Sequence, residues 1–412
     1  MKVLWFEVTV PSRYQEKGLV IGGWQDSLEN IVRGCSDIEL FISFETNDVC
    51  ANKKVIDGVT YIPIKKKSGI INKIRYGFNS NKRLSILKES MKHIVEEVNP
   101  DLIQVYGTEW PYGYVADVTN KPVVIHIMGS LIPYANAFYA PGFSFKDLKR
   151  STPFSRIRDL YCFKQFQNSV LKNTEVEIWK KNKYYMGRTE WDRRLSSVLS
   201  PDCSYFHVEE ALRPDFFSDS EIWTFPDNKK IKLMSTGCSN FWKGPDMLLK
   251  TAQILKRLGV DFEWVVAGKM NCIVKKAVEK NVGTTFEENN IKLIGFTKPL
   301  DLKKLLCAST MYVHTAYAEN SPNSICEAQL LGVPIISTYV GGIPSLLGAD
   351  GMMVPANDPW QMASAIVELA NDREKMENFS INGRQRALIR HNVENIKAQL
   401  FNCYNSIIKK EV

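Results

Sequence analysis

Two glutamates eight residues apart, Glu319 and Glu327, have the type and spacing expected of groups that bind a polar ligand. Glu319 lies in a polar turn after an apolar run at residues 311–315, and Ser321–Pro322 follow it. Proline suits the first position of a helix, because its missing N–H would have had no partner there. The helix should end near Gly332, a favourable residue just past a C-terminus. One carboxylate is therefore expected in the loop and the other about one turn into the helix.

The start of this helix is also a candidate anion site. The open N–H groups of Asn323 and Ser324 would face the carboxyl edge of a parallel sheet, where the helix dipole and the unsatisfied donors attract negative charge. These donors belong to the backbone, so the two side-chain types carry little information. The pattern predicts a phosphate-binding position between two carboxylates.

Length and composition indicate a globular protein of two or three domains, since the chain has 412 residues and 44% hydrophobic content. The first ten residues resemble a buried strand more than a signal peptide, because they have no basic region and no cleavage site. No apolar run approaches the length of a membrane span. Nine cysteines and five histidines without ligand spacing predict reduced thiols, a cytoplasmic location and no metal site.

The net charge of +8 is concentrated in two stretches of the first half that mix basic with apolar and aromatic residues. Lys65–Arg83 carries seven basic residues and no acid, and Phe143–Lys164 has a similar character. Each stretch could be a solvated loop, or it could contact anionic lipid headgroups. Nucleic acid is a third option and is disfavoured, because no recognised nucleic-acid module accompanies the charge.

Strands and helices alternate from end to end, which is typical of α/β proteins with parallel sheets. A polar, proline-containing segment at 213–230 is predicted to link a first domain, 1–212, to a second domain, 231–391. A last helix within 392–412 is expected to pack back on the first domain. Each half supports its own doubly wound sheet, so we predict two such domains facing each other across a cleft, with the ligand at the carboxyl ends of the strands.

The second half also carries a family resemblance, and the residues that form it follow the predicted strands in this order: Gly237, Lys243–Gly244, Gly268, Gly295, Glu319-x7-Glu327-Ala328, Gly332-Val333-Pro334 and Gly341-Gly342-Ile343-Pro344. In this order they resemble the retaining glycosyltransferases of family 4 (group 1), over about residues 231–372. Weaker matches precede them at Gly22–Gly23, Pro100-Asp101 and Val124-Ile125-His126.

The resemblance implies the GT-B fold of two Rossmann-like domains. It implies a hexosyltransferase-type enzyme that moves a sugar from a nucleotide sugar to an acceptor hydroxyl, with retention at the anomeric carbon and without a metal or other cofactor. The second domain would hold the nucleotide sugar, whose base stays open. The first would hold the acceptor, a glycan or lipid-linked glycan of surface-polysaccharide synthesis. Such an acceptor suits a peripheral location at the inner face of the membrane.

The resemblance also implies roles for single residues. Glu327 would accept hydrogen bonds from the donor ribose, and Glu319 would hold hydroxyls of the transferred sugar. Lys243 would neutralise the leaving diphosphate, and His126 would touch the donor sugar. The diphosphate is also expected to contact backbone groups of Gly22, Gly23, Asn323 and Ser324. Each residue has an ordinary alternative as a surface, turn or strand-end residue.

One position departs from the family pattern. Cys238 stands where the family usually has an arginine that shares the diphosphate with the lysine. Loss of one such contact could cost about 2–4 kcal/mol of transition-state stabilisation. Two other classes of function therefore stay open. A non-catalytic nucleotide-sugar-binding scaffold would tolerate the missing arginine, whereas a nucleotide-sugar epimerase would need an acid/base set that does not stand out.

Overall fold

A computed structural model shows two α/β units, each built on one sheet of mainly parallel strands. The structure describes residues 1–15, 23–66, 80–157, 160, 170–217, 219–226 and 230–411. The first unit comprises Met1–Leu131, Leu171–Arg213 and His391–Val412, and the second comprises Ile132–Val170 and Pro214–Arg390. The predicted α/β class is confirmed.

The strands of the first unit are β1 (Lys2–Glu7), β2 (Glu39–Thr46), β3 (Lys54–Ile56), β4 (Val59–Lys65), β5 (Leu102–Tyr106), β6 (Val123–His126), β7 (Tyr184–Gly187) and β8 (Ser204–His207). Their order in the sheet is β3-β4-β2-β1-β5-β6-β7-β8. Among these described strands only β3 runs antiparallel to its neighbour. Strands β5 and β6 are buried along their whole length, which is typical of central strands in a parallel sheet.

The strands of the second unit are β9 (Ile231–Thr236), β10 (Phe262–Ala267), β11 (Ile291–Gly295), β12 (Met311–His314), β13 (Ile335–Thr338) and β14 (Met352–Val354). They form a parallel sheet in the order β11-β10-β9-β12-β13-β14. This is the doubly wound order of a Rossmann sheet, and the order reverses between β9 and β12. The loops that leave these two neighbouring strands therefore open at the point where such sheets bind ligands.

The α-helices of the described residues are α1 (Trp24–Arg33), α2 (Ser80–Val98), α3 (Leu131–Asn136), α4 (Phe145–Ser151), α5 (Val170–Lys181), α6 (Glu190–Leu199), α7 (Pro245–Arg257), α8 (Cys272–Val282), α9 (Pro299–Cys307), α10 (Asn323–Leu330), α11 (Ile343–Leu347), α12 (Pro359–Ala370), α13 (Arg373–Arg390) and α14 (Val393–Glu411). Thr189 is the N-cap of α6, because its Oγ1 accepts a hydrogen bond of 3.2 Å from the N–H of Asp192. The last helix, α14, packs within the first unit, where Trp5 Nε1 donates to Tyr404 Oη over 3.1 Å.

The helix after Glu319 begins slightly later than predicted. Pro322 is the N-cap of α10 rather than its first residue, and the helix starts at Asn323. Its end is close to the predicted one, because Gly332 has a φ of +74° and follows the C-cap Leu331. The N–H groups of Gly332 and Val333 bond back to the last turn over 2.9 Å each, which satisfies carbonyls that the helix leaves open.

Residues 132–157 lie in the second unit, although the predicted boundary placed them in the first domain. Helix α4 packs against α8 of the second unit. The ring of Tyr134 stacks on that of Trp242 with centroids 6.4 Å apart, and the ring of Phe143 packs against Phe241 at 5.0 Å. These non-local aromatic contacts cannot be recognised from local sequence, which explains the misplaced boundary.

The segment predicted as a linker, 213–230, is anchored through its aromatic residues. Trp223 is buried in the second unit, where its backbone N–H bonds to Leu331 O over 2.8 Å and its indole Nε1 to Ser309 O over 2.9 Å. Residues 218 and 227–229 lie outside the described ranges. The described part therefore packs as an element of the second unit.

Candidate active site

Two loops of the second unit meet at the reversal of strand order. The loop after β9 ends with a single 3-10 turn, Phe241–Lys243, and Gly244 then caps α7 in the left-handed conformation with a φ of +68°. A Cβ atom on Gly244 would lie 1.8 Å from Thr315 O, in the loop after β12. Only glycine permits both this backbone conformation and this approach. The two loops therefore touch backbone to backbone beside Lys243.

This approach brings Lys243 and Glu319 together. Lys243 Nζ donates a hydrogen bond to Glu319 Oε1, and His314 Nε2, at the end of β12, lies 3.1 Å from the same oxygen. Burial alone would raise the pKa of Glu319, but Lys243 and His314 outweigh it and lower this pKa to about 2. Glu319 is therefore an ionised carboxylate whose Oε1 accepts from two side chains.

The turn after β13 also contacts the loop that carries Glu319. A Cβ atom on Gly341, whose φ is +54°, would lie 1.6 Å from Glu319 O. The next N–H, that of Gly342, bonds to Asn320 O over 3.0 Å. The Gly341–Gly342 pair thus contacts the carbonyls of Glu319 and of the residue that follows it.

Helix α7 supports the same loop through its first turn. Tyr317 Oη donates to Asp246 Oδ2 over 3.0 Å, and Lys250 Nζ donates to the same oxygen over 2.9 Å. The backbone N–H of Tyr317 also bonds to Trp242 O over 2.7 Å. The residues before Lys243 and before Glu319 are therefore tied directly to each other.

Helix α10 begins four residues after Glu319. The N–H groups of Ile325 and Cys326 bond to Pro322 O over 3.0 and 3.4 Å, so those of Asn323 and Ser324 precede the first intrahelical bonds. The Ser324 side chain lies close to the hydroxyl of Tyr312, on β12. Glu327 is buried in the second turn of α10. The donors of the predicted anion site and both predicted carboxylates thus lie on one continuous loop and helix.

Cys238 stands where the resemblance leads us to expect an arginine, and it does not supply a positive charge. Its thiol is buried, and burial raises its pKa to about 12, with Lys243 lowering it and Glu319 raising it further. The thiol is therefore neutral at physiological pH. Lys243 is left to supply the charge at this end of the loop.

The remaining predicted site residues belong to the first unit. His126 lies at the end of β6 as a fully buried residue whose ring stacks on Tyr106 at 5.9 Å. Burial and the charge of Arg188 hold its pKa well below the usual value, so the ring is neutral. Gly23 is the N-cap of α1, and a Cβ atom added to it would meet no atom of the described residues within 4 Å. Gly22 lies outside the described residues, and the donor contacts of all three residues stay predictions.

Three features of this site were missed by reasoning from the sequence: His314, the steric role of Gly244, and that of Gly341. The sequence signal for His314 is a polar residue closing an apolar strand five residues before Glu319. The signal for the glycines is weaker, because a glycine in a loop also fits an ordinary turn.

The predicted surface stretches are only partly described. Residues 67–79 of Lys65–Arg83, and 158–159 and 161–164 of Phe143–Lys164, lie outside the described ranges. Phe143 itself is buried against Phe241. Phe154 and Ile157 are exposed by 89% and 58% and follow the exposed basic residues Lys149 and Arg150.

The described residues contain neither a metal-binding cluster nor a membrane-spanning helix. Within those ranges, no three or more His, Cys, Asp or Glu side chains are grouped so that they could hold a metal ion. Among the described helices, none combines the length and the apolar character needed to cross a bilayer.

Comparison with known proteins extends these observations. Residues 230–372 match the family described as glycosyl transferases group 1. Over 172 residues the chain is 26% identical to the capsular polysaccharide biosynthesis glycosyltransferase CapM of Staphylococcus aureus. The aligned region covers 41% of this chain and 44% of CapM. The match thus spans less than half the length of that relative.

Solved structures match over almost the whole chain. The sucrose-phosphate synthase of Thermosynechococcus elongatus superposes with a TM-score of 0.72 at 14% identity, over 99% of both chains. HepE of Anabaena, solved in complex with UDP-glucose, superposes with a TM-score of 0.63 at 16% identity, over 98% of this chain and all of HepE. The chain therefore has the GT-B fold, and its residues 230–372 are similar to the glycosyl transferases of group 1.

Proposed function

We propose that this protein is a retaining, metal-independent glycosyltransferase that moves a sugar from a nucleotide sugar to an acceptor hydroxyl. The observation that carries the proposal is the Lys243–Glu319 pair beside the first turn of α10, inside a group 1 domain. A cation and a helix N-terminus suit a leaving diphosphate, and an ionised carboxylate suits sugar hydroxyls.

In the proposed reaction, Lys243 and the N–H groups of Asn323 and Ser324 stabilise the diphosphate as its bond to the anomeric carbon breaks. Glu319 accepts hydrogen bonds from hydroxyls of the transferred sugar, and Glu327 accepts them from the ribose. The acceptor oxygen forms its bond on the face that the diphosphate leaves, and its proton departs with the nucleoside diphosphate. The positive charge comes from side chain and backbone, so the proposal requires no metal.

We propose a UDP-sugar as the first donor to test, because HepE was solved with UDP-glucose. The proposed acceptor is a glycan or lipid-linked glycan of a surface polysaccharide, because CapM is named for capsular polysaccharide biosynthesis. A thermal-shift screen with UDP-, GDP-, ADP- and CMP-linked sugars would identify the donor, since a ligand of the folded state raises its apparent stability.

Turnover of the selected donor by two variants tests the site. Lys243→Ala and Glu327→Gln should each lower release of the nucleoside diphosphate by at least about 10²-fold, the loss expected when one preorganised charged contact is removed. Lys292→Ala is a matched control, because its side chain is 67% exposed on β11 and pairs with Glu263. Full turnover in both site variants would contradict the assignment.

The same reaction separates the alternatives. Epimerised nucleotide sugar without net release would indicate an epimerase, and binding without either product would indicate a scaffold. The anomeric configuration of the product, read by NMR, tests retention. Activity should survive EDTA, and a loss that Mg²⁺ or Mn²⁺ restores would contradict metal independence.

We also propose peripheral membrane contact through the exposed residues Lys149, Arg150, Phe154 and Ile157. Basic side chains attract anionic headgroups, and exposed apolar side chains enter the interface. The protein should therefore sediment with vesicles containing phosphatidylglycerol more than with pure phosphatidylcholine vesicles. Phe154→Ser with Ile157→Ser should reduce this binding, and equal sedimentation of variant and wild type would refute the contact.

A further inference from the structure

Glu319 has two hydrogen-bond partners that differ in flexibility. Lys243 is a long side chain that is 29% exposed, and its ammonium is carried on four rotatable bonds. His314 is buried, and its short side chain leaves the end of a strand in the middle of the sheet. Both side chains contact Oε1 of the same carboxylate.

The proposed function assigns these two partners to different parts of the donor. A diphosphate carries more negative charge than one carboxylate, so it would compete for the flexible Lys243 ammonium. Glu319 would then lose one of its two partners while it still has to accept hydrogen bonds from the sugar. Because Glu319 is buried, its carboxylate needs another fixed donor to stay ionised and in place.

We propose that His314 is this donor, a positioning residue that holds Glu319 for the transferred sugar when the diphosphate draws Lys243 away. The inference rests on the proposed function. An ionised carboxylate can only accept hydrogen bonds, so Nε2 of His314 carries the proton in this contact. When the donor binds, Lys243 exchanges its contact with Glu319 for one with the diphosphate, and Glu319 stays hydrogen-bonded to His314.

The surroundings of His314 suit a fixed orientation. Its ring stacks on Tyr312 with centroids 6.3 Å apart and planes 23° apart. The hydroxyl of Tyr312 lies 2.8 Å from Thr236 Oγ1, on β9, and close to the Ser324 side chain of α10. The ring under His314 is thus tied to β9 and lies beside α10, the two elements that flank the proposed diphosphate position. The imidazole can keep its place while the lysine moves.

Binding measurements on three variants test this inference. UDP-glucose and GDP-mannose are titrated into the wild-type protein, together with the sugar-free UDP and GDP. The nucleotide sugar that binds more tightly, with its nucleoside diphosphate, is then used for the variants. His314→Phe keeps a flat ring but removes the donor. It should bind the nucleoside diphosphate within about 2-fold of wild type, while affinity for the nucleotide sugar and kcat fall by about 10- to 100-fold, the usual worth of a hydrogen bond to a charged group.

His314→Gln should recover most of this loss, because its amide nitrogen can occupy the position of Nε2, whereas the shorter amide of His314→Asn should not. This pair differs by one methylene group and keeps the test valid if His314→Phe does not fold. His93→Gln, at an exposed position of α2, is the control and should behave as wild type.

The outcomes separate the inference from the function on which it rests. Wild-type kinetics of His314→Phe or His314→Asn would overturn the role of His314 alone. An equal loss of affinity for nucleoside diphosphate and nucleotide sugar would also overturn it, because such a loss indicates general damage to the site. A wild-type protein that binds neither nucleotide sugar and releases no nucleoside diphosphate would overturn the proposed function and the inference together.

Discussion

Replacing Gly341 by alanine tests whether the turn after β13 positions Glu319. The added Cβ would lie 1.6 Å from Glu319 O, whereas ordinary contact begins near 3.4 Å, so the two atoms must separate by about 1.8 Å. The nearest atoms belong to the backbone of Glu319, so no side-chain rotation can relieve the clash. A misplacement of about 1 Å can lower a catalytic rate by about 10²-fold, and we expect at least this loss of turnover.

The stability cost separates into two parts. Alanine in the left-handed region costs about 1–2 kcal/mol, and the forced displacement adds about 1–3 kcal/mol, as overpacking does. Gly283→Ala is the matched control, because Gly283 has a φ of +78° at the end of α8 with nothing within 4 Å of an added Cβ. It should show only the conformational cost, with unchanged turnover.

Urea denaturation measures the two free energies of unfolding, and release of nucleoside diphosphate from the selected donor measures turnover. Only Gly341→Ala should lose activity when both variants are folded. If Gly341→Ala retained wild-type turnover and lost no more stability than Gly283→Ala, the argument that this glycine positions Glu319 would be refuted.

Three further predictions follow from local chemistry. The thiol of Cys238 should resist iodoacetamide in the native protein at pH 8, because its pKa is raised to about 12. The exposed Cys50 should react under the same conditions. Rapid labelling of Cys238 in the native protein, read by mass spectrometry, would contradict its burial. Thr189→Ala should lower the free energy of unfolding by about 1 kcal/mol through loss of the α6 N-cap, and an unchanged urea midpoint would argue against the cap. The Glu319 carboxyl, with its folded-state pKa lowered to about 2, should stabilise the protein above its unfolded-state pKa near 4.3 and progressively less as pH falls from there towards 2. Urea titrations of wild type and Glu319→Gln should therefore diverge less at pH 3 than at pH 7, and a constant difference would contradict the shift.

The sequence pattern predicts the longer helices and strands well and the short edge strands poorly. The apolar run at 311–315 contains strand β12, and the last helix expected within 392–412 is α14. The edge strands β3 and β14 were missed, because each has only three residues and too few side chains to show a period. The position of residues 132–157 was also wrong, since it depends on aromatic contacts with residues about 100 positions later in the chain.

The sequence by itself determined the α/β alternation, the types of the candidate site residues and the helix that begins after Glu319. These are properties of local periodicity and of residues with strong backbone preferences, so neighbouring residues are enough to specify them. Only the tertiary structure decided that Lys243 pairs with Glu319, 76 residues away, and that His314 contacts the same oxygen. The physical reason is the strand order. Lys243 meets Glu319 because β9 lies beside β12, and that neighbourhood depends on how apolar faces distant in sequence are buried together.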